Sequence, residues 1–527
     1  MKIVKIAQIL LIFATLVLYS GCSPKAGNFQ NQTIVSDVSK NNNSDGTTPV
    51  ADTKLELVDQ KISYEINPWK PSDKCVVKAA ELLKQMTVAE KAGQMTQVAM
   101  RYLPSKDMSD LAKYAIGSML AGGTDFPGED LSASAWAGYI DEAKAAAIKN
   151  RLHIPLIFGI DAVHGNGKSV GAVVFPHNIG LGCTGDPALV EEIGKITALE
   201  TRGSGVDWAF SPVLAAARDE RWGRTYEAFG ETPDLAAVYG AALVKGLQGD
   251  VPFGKDRVLA SIKHFAGDGD TVFGTSHMDD GFLDRGNVTL DMDTFYDLAI
   301  KQYIPSINAG AGSVMVSYSS YMGVKMHANR ELITDVLKKD LGFNGFVVSD
   351  WMGIDDIPGD FETDVAAAIN AGIDMVMLPD RYKEFIKTVQ SLVPAKISES
   401  RIDDSVKRIL QVKCEMGMFE DDYSNKTDEY LTKIVGSKEH RLVGRKAVAE
   451  SLVLLKNQNS LLPLNKDAKI FVTGSGADSL DKQCGGWTVN WDGNGSKTVG
   501  TTVLSALKKV SDNIIYSENP KTVYKKA

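Results

Sequence analysis

Cysteine is scarce in this chain, with five in 527 residues. Apart from Cys22, the cysteines are Cys75, Cys183, Cys414 and Cys484, and they show neither a CxxC pattern nor metal-ligand spacing. That argues against a zinc or iron–sulfur framework. A core of this size needs no disulfide staples, so mostly buried free thiols are expected. An excess of positive charge is also lacking: 57 Lys and Arg against 66 Asp and Glu leave a net charge of −9. Without a broad basic face, nucleic acid is not an expected partner, and neutral ligands suit the surface better. No metal or organic cofactor is expected. The run Val472-Thr473-Gly474-Ser475-Gly476 lacks the third glycine and the following acid of a nucleotide loop, so it is set aside. A comfortable membrane span is missing as well, because the apolar stretch from Ile6 to Leu18 is too short for one.

That short stretch has a different reading. Lys2 and Lys5 precede it, and Tyr19-Ser20-Gly21-Cys22 follows, which is the pattern of a secretory signal with a lipoprotein-type cleavage site at residues 1–22. Cys22 would be the lipidated first residue. Tyr19 stands where such sites usually carry Leu, so ordinary cleavage or an uncleaved anchor stay open. Residues 23–64 are rich in Asn, Ser, Asp and Lys without apolar periodicity, and read as a flexible tether. The expected location is therefore exported and lipid-anchored, at a bacterial outer membrane or in the periplasm.

From there a single grammar repeats: an apolar run of strand type that ends in polar or charged residues. Gly345 to Trp351 is the clearest case, closing on Asp350. Pro155 to Val163 carries Asp161, Val258 to Phe265 carries Lys263 and His264, and Ser313 to Ser320 carries Tyr318. Val206 to Leu214 leads into the charged loop Arg218 to Arg224, and Met375 to Pro379 follows Asp374. Gln94 to Met100 and Ile116 to Gly123 complete eight candidates. Helix-period segments lie between them, among them Leu189 to Arg202, Pro233 to Leu247, Thr289 to Tyr303, Arg330 to Leu341 and Glu362 to Ala371. Alternation at this spacing predicts α/β architecture with a closed parallel sheet, a (β/α)8 TIM barrel over residues 65–420. In such a barrel the working residues stand at the strand C-termini. A strand-terminal Asp can also cap the next helix, so position alone does not make Asp350 catalytic.

These segments resemble glycoside hydrolase family 3, on its β-glucosidase and exo-β-glucan glucohydrolase branch. The matching pieces are Met86 to Lys91 with Gly93-Gln94-Met95, Gly159 to Gly165, and Arg221-Trp222-Gly223-Arg224 with Tyr226-Glu227. Lys263-His264-Phe265 with Gly267-Asp268-Gly269, Ser317 to Ser320, Ser349-Asp350-Trp351, and Gln483 to Trp487 with Trp491 follow in the family's order. The resemblance implies a retaining exo-acting hydrolase that releases terminal β-D-glucose from β-glucosides, cello-oligosaccharides or β-glucans. Asp350 would be the nucleophile, with Asp161, Arg224, Lys263 and His264 on the sugar hydroxyls. Tyr318 would hydrogen-bond the nucleophile, and Trp351 and Trp491 would stack on a second sugar. Glu227 either orients Arg224 or touches substrate, and Trp487 is expected to pack near the pocket rim.

Two alternatives remain. His277 invites comparison with the family's β-N-acetylglucosaminidases, although Gly274-Thr275-Ser276-His277 lacks their aspartate. The other is a catalytically idle, lipid-tethered sugar-binding protein. Residues 421–465 read as a linker, polar from Asp421 to Gly436 and helix-like from Lys438 to Ser451, and 466–527 as one βαβ unit of an incomplete α/β sandwich. No segment matches the one in which the family carries its acid/base Glu, so a shortened, impaired enzyme is expected and no general acid is assigned.

Overall fold

The computed structural model describes residues 63–103, 108–250, 253–254, 256–278 and 282–520. Cys22 and the signal and tether segments up to residue 62 lie outside the described residues. From Tyr64 onward the chain forms one compact unit. Eight parallel strands build its centre: β1 (Thr96–Ala99), β2 (Ser118–Ala121), β3 (Ile157–Ile160), β4 (Trp208–Ala209), β5 (Leu259–Phe265), β6 (Ser313–Val316), β7 (Phe346–Val348) and β8 (Val376–Met377). Their order is β7-β6-β5-β4-β3-β2-β1-β8. A parallel bridge between Val348 and Met375 joins the two ends, so the sheet closes. Each strand is buried throughout, which is why these segments read as near-continuous apolar runs rather than alternating ones. Helices follow the strands as expected, for example Pro187–Gly203, Pro233–Gln248 and Phe361–Ala371. Their starts are chemically marked. Asp186 and Asp360 cap two of them, and Thr87 with Glu90 forms a reciprocal capping box on Val88–Gln94, satisfying otherwise orphaned N–H groups.

Charged residues at the N-terminal ends of the strands fasten the barrel base. Asp207 accepts from Lys144 Nζ at 2.7 Å and from the Phe158 amide at 3.0 Å. Asp374 does the same with Lys338 Nζ at 2.8 Å and the Val347 amide at 2.9 Å. Lys413 Nζ donates to Gln94 Oε1, Gly117 O and Pro155 O at 2.8, 2.9 and 2.7 Å. These groups are structural, since a buried polar atom must find partners.

One expectation needs correction. Cys75 and Cys414 are joined in a disulfide rather than free, while Cys183 and Cys484 are free. Helix Asp73–Leu83 packs against helix Glu399–Glu415, bringing together cysteines 339 positions apart, a pairing invisible to spacing. Residues 421–465 hold the expected helix from Lys438 onward, and the polar stretch before it is itself partly helical. They contain helices Glu429–Ile434 and Lys438–Glu450, and the buried Glu200 carboxylate accepts from the Gly436 amide at 2.7 Å and pairs with His440 Nδ1 at 2.8 Å. That bond docks the segment on the barrel. Beyond it, β9 (Ile470–Thr473) and β10 (Ile514–Ser517) pair in parallel, with helix Val503–Lys508 between them.

Candidate active site

A cavity of about 760 Å³ opens at the C-terminal ends of the barrel strands. A second, of about 730 Å³, lies at the opposite face around Asp207 and Cys414. Chemistry in such barrels is built on the C-terminal face, and the first cavity gathers the relevant groups. It is lined by Asp161, Arg224, Lys263, His264, Tyr318, Asp350, Trp351 and Trp491, together with Glu227 and Trp487. All eight sugar-site residues expected from sequence thus meet in one place.

Local backbone geometry explains the placement of Lys263 and His264. Successive side chains of a regular strand point to opposite faces, yet both of these line the cavity. The pairing register between β5 and β6 shifts between Ile262 and Phe265. Such irregularities re-aim side chains, and here one delivers two consecutive functional groups to the same space.

Asp350 stands just past β7. Its Oδ1 accepts from the Trp351 amide at 2.6 Å, and Oδ2 lies 3.6 Å from His264 Nε2. Its own amide donates to His327 Nε2 at 3.1 Å. Burial pushes the His327 imidazole down to about 4, against the pull of Asp350, so it is neutral and available as an acceptor. A Cβ at Gly353 would stand 2.3 Å from His327 Nε2, so only glycine fits there. His327 sits in the short helical turn Met326–Ala328, outside any strand-end pattern, and sequence reasoning missed it.

A second layer orients His264. Its Nδ1 lies 2.7 Å from Asp268 Oδ2, and the Ser317 hydroxyl donates to the other Asp268 oxygen. Burial opposes ionisation of Asp268, but His264 and Arg224 override it and hold the carboxyl low. Nδ1 as donor leaves the Nε2 lone pair towards Arg224 Nη2, 3.2 Å away. Arg224 makes a two-pronged pair with Glu227, Nε to Oε1 at 2.7 Å and Nη2 to Oε2 at 3.0 Å. Burial resists the charge on Glu227, yet Arg224 outweighs it and the carboxyl falls to about 2. Glu227 therefore orients Arg224 while also lining the cavity. Lys263 Nζ pairs with Asp161 Oδ1 at 3.1 Å.

Tyr318 departs from expectation. Its hydroxyl donates to the Trp351 carbonyl rather than to the Asp350 carboxylate, and Arg285 lies over its ring, 3.7 Å from the centroid. It fixes the backbone beside Asp350. Trp487 lines the cavity as well, and Lys263 Nζ lies 5.5 Å from its ring centroid. The loop bearing Trp487 and Trp491 is docked by the barrel: His164 Nε2 lies 3.0 Å from Thr488 Oγ1, Val489 N donates to Gly167 O at 2.9 Å, and His177 Nε2 lies 2.9 Å from Cys484 O. The two imidazoles stack at 3.7 Å. His277 is absent from the cavity lining and pairs with Asp356 at 3.1 Å. Among the described residues, no group of three or more His, Cys, Asp or Glu is arranged to hold a metal ion.

Comparison with known proteins gives this geometry a context. Residues 87–412 match the glycosyl hydrolase family 3 N terminal domain and residues 452–527 match the family 3 C-terminal domain. The chain is 32% identical to a lysosomal beta glucosidase of Dictyostelium discoideum over 82% of its length and 55% of that protein. It is 31% identical to a periplasmic beta-glucosidase of Salmonella typhimurium over 81% of its length and 54% of that protein. A crystal structure of an exo-1,3/1,4-beta-glucanase from a Pseudoalteromonas species superimposes with a TM-score of 0.80 at 37% identity, covering 88% of this chain and 59% of that one. The chain spans about half the length of the curated relatives it matches.

Proposed function

The chain belongs to glycosyl hydrolase family 3, and from that premise we propose that it serves as a retaining exo-acting β-glucosidase, releasing terminal β-D-glucose from β-glucosides or β-glucan oligosaccharides. One observation carries the reading: a carboxylate at a barrel strand's C-terminus, Asp350, faces His264 at 3.6 Å in a cavity that also holds paired cations and indoles. Asp350 attacks the anomeric carbon as the aglycone oxygen departs, forming a glycosyl-enzyme through an oxocarbenium-like transition state; water then displaces Asp350, so two inversions retain configuration.

The remaining residues divide the work. Asp161 accepts from sugar hydroxyls, while Lys263 and Arg224 donate charge-assisted bonds to them. His264, held by Asp268, presents a fixed edge to the same ring. Trp351 and Trp491 offer apolar faces to the C–H face of a second sugar, which tolerates more than one linkage. No residue is assigned as general acid: the other cavity carboxyls are Asp161, Glu227, Asp284 and Asp492, and the first two are engaged by Lys263 and Arg224. The acetamido-sugar alternative has no support from the position of His277. Export and lipid anchoring at Cys22 are part of the proposal, supported by the periplasmic relative for export alone.

A 2-deoxy-2-fluoro-β-glucoside with a dinitrophenolate leaving group tests the reading. It should inactivate the protein, and peptide mass spectrometry should find the fluoroglucosyl group on Asp350. Labelling elsewhere would overturn the nucleophile assignment. Glucose binding without any labelling would favour the idle sugar-binding protein.

A further inference from the structure

Gly122 and Gly123, adjacent at the C-terminal end of β2, each lie beneath an indole. A Cβ on Gly122 would stand 2.7 Å from Cζ3 and 2.8 Å from Cη2 of Trp351, and one on Gly123 would stand 2.6 Å from both Cβ and Cδ1 of Trp491, against the ring and its root on the backbone. Neither glycine is among those with positive φ, so what the missing side chains supply is space, not backbone freedom. The turn is braced from behind. Asp125 Oδ2 accepts from the Gly122 amide at 2.7 Å, its other oxygen pairs with Arg101 Nε, and Arg101 Nη2 donates to Thr124 Oγ1 at 2.6 Å. The same guanidinium lies 6.0 Å from the Trp351 ring centroid, within reach of a cation–π contact.

We infer that the Gly122-Gly123 ledge, braced by the Asp125–Arg101 pair, is the specificity determinant for the leaving-group sugar: it sets where both indoles stand and so whether a second glucosyl ring can stack on them. The inference rests on the glycosidase reading and deepens it. Carbon atoms settle at about 3.5–4.0 Å, so a methyl on either glycine displaces its indole by roughly 1 Å, and dispersion contacts fall off steeply over such a gap. The first sugar, held by Asp161, Lys263 and Arg224, does not depend on the ledge. Gly122, Gly123, Asp125 and Arg101 are positioning residues, and their signature is a selective loss of the second sugar.

The test is isothermal titration of the whole chain with two probes, glucose and a hydrolysis-resistant S-linked glucosyl-glucose, with tryptophan fluorescence read in parallel. Gly122→Ala and Gly123→Ala, made separately, should leave the Kd for glucose within about twofold and weaken the S-linked disaccharide about 3- to 10-fold, the equivalent of one lost stacking contact. The fluorescence response to the disaccharide should shrink in the same variants. Arg101→Leu, which leaves the buried Asp125 carboxylate without its cation, should act in the same direction through Trp351 once circular dichroism shows the variant folded, and Arg101→Lys, which keeps the charge, should restore part of the loss. Gly128→Ala, at a position open to solvent, should change neither ligand. Equal weakening of both ligands, or no change in any ledge variant, overturns the inference while leaving the glycosidase reading intact. Failure of the unaltered chain to bind glucose overturns the reading and the ledge together.

Discussion

Replacing Asp350 by glycine is the sharpest perturbation of the proposed site. The substitution removes only the carboxymethyl group, and the backbone amide that donates to His327 Nε2 at 3.1 Å remains, so local structure should persist. The lost group is well positioned: Oδ1 is fixed by the Trp351 amide at 2.6 Å and Oδ2 lies 3.6 Å from His264. A nucleophile held in this way behaves as an intramolecular reactant with an effective molarity of about 10⁵–10⁸ M, and against water at roughly 55 M its removal should slow aryl-glucoside cleavage by roughly 10³- to 10⁶-fold. Aryl glucosides are the right substrate because a nitrophenolate departs with little protonation, which isolates the nucleophile from the unassigned acid. Azide should enter the space vacated beside Trp351 and attack the anomeric carbon once, giving α-glucosyl azide, whereas the two inversions proposed for the unaltered chain give β-configured products. Product configuration is read by proton NMR. Aryl-glucosidase activity within tenfold of the unaltered chain, or β-glucosyl azide from Asp350→Gly, would refute the assignment.

Glu227→Gln should cost stability in a pH-dependent way. A carboxyl held at about 2, against an ordinary 4.5, contributes stability above about pH 4.5 that is lost as pH falls towards 2, worth ~3 kcal/mol. Urea unfolding should therefore show a variant deficit that narrows under acid conditions; a deficit independent of pH would contradict the Arg224 pairing. Tyr318→Phe removes the donor to the Trp351 carbonyl and should lower kcat/KM on aryl glucosides by about tenfold, the worth of one hydrogen bond, with little change in glucose affinity. A loss beyond about 10³-fold would mean that the hydroxyl contacts the reacting centre. Lys413→Met leaves three buried acceptors without their common donor, and chemical denaturation should register a loss of about 2–4 kcal/mol with aryl-glucosidase activity retained at permissive temperature.

Much of the site was legible because a parallel barrel turns sequence position into spatial position. Asp161, the Lys263-His264 pair, Tyr318 and Asp350 belong to four separate segments of the chain, yet each follows or ends an apolar run, and closure brings those ends together. The same grammar misleads at the other face. Asp207 and Asp374 also flank strands, but they precede β4 and β8 and bind Lys144 and Lys338; polarity at a strand end is informative only once its direction is included. What escaped was contact between residues whose own segments carry no pattern. His327 lies in the short turn Met326–Ala328, Cys75 meets Cys414 only because two helices pack, and Tyr318 sits where expected while its hydroxyl chooses a backbone carbonyl. Residues 421–436 looked like a linker because their composition is polar, yet scattered partners dock them on the barrel: Asp141 for Thr427, Gly203 O for Thr432 and Glu200 for Gly436.

Charge balance in the cavity bears directly on the proposed reaction. Asp161, Glu227, Asp284, Asp350 and Asp492 line it against the permanent cations Arg101, Arg224, Lys263 and Arg285, and Asp268 adds a further carboxylate behind His264. A neutral sugar gains little from this negative excess, since its hydroxyls pair with cations and carboxylates alike. An oxocarbenium-like transition state carries developing positive charge at the anomeric carbon, and only that state feels the imbalance. Interactions that strengthen between ground state and transition state accelerate a reaction, whereas uniform ones only tighten binding. The paired arrangement serves the same end: Arg224 tied to Glu227 and Lys263 tied to Asp161 hold their charges in fixed directions, so little reorganisation is needed when charge develops. In the proposed reading Arg224 and Lys263 bind the hydroxyls while Asp350 keeps its charge: among the described residues no Lys or Arg lies within ion-pair distance of its carboxylate, and the neighbour there is the His264 ring, Nε2 to Oδ2 at 3.6 Å.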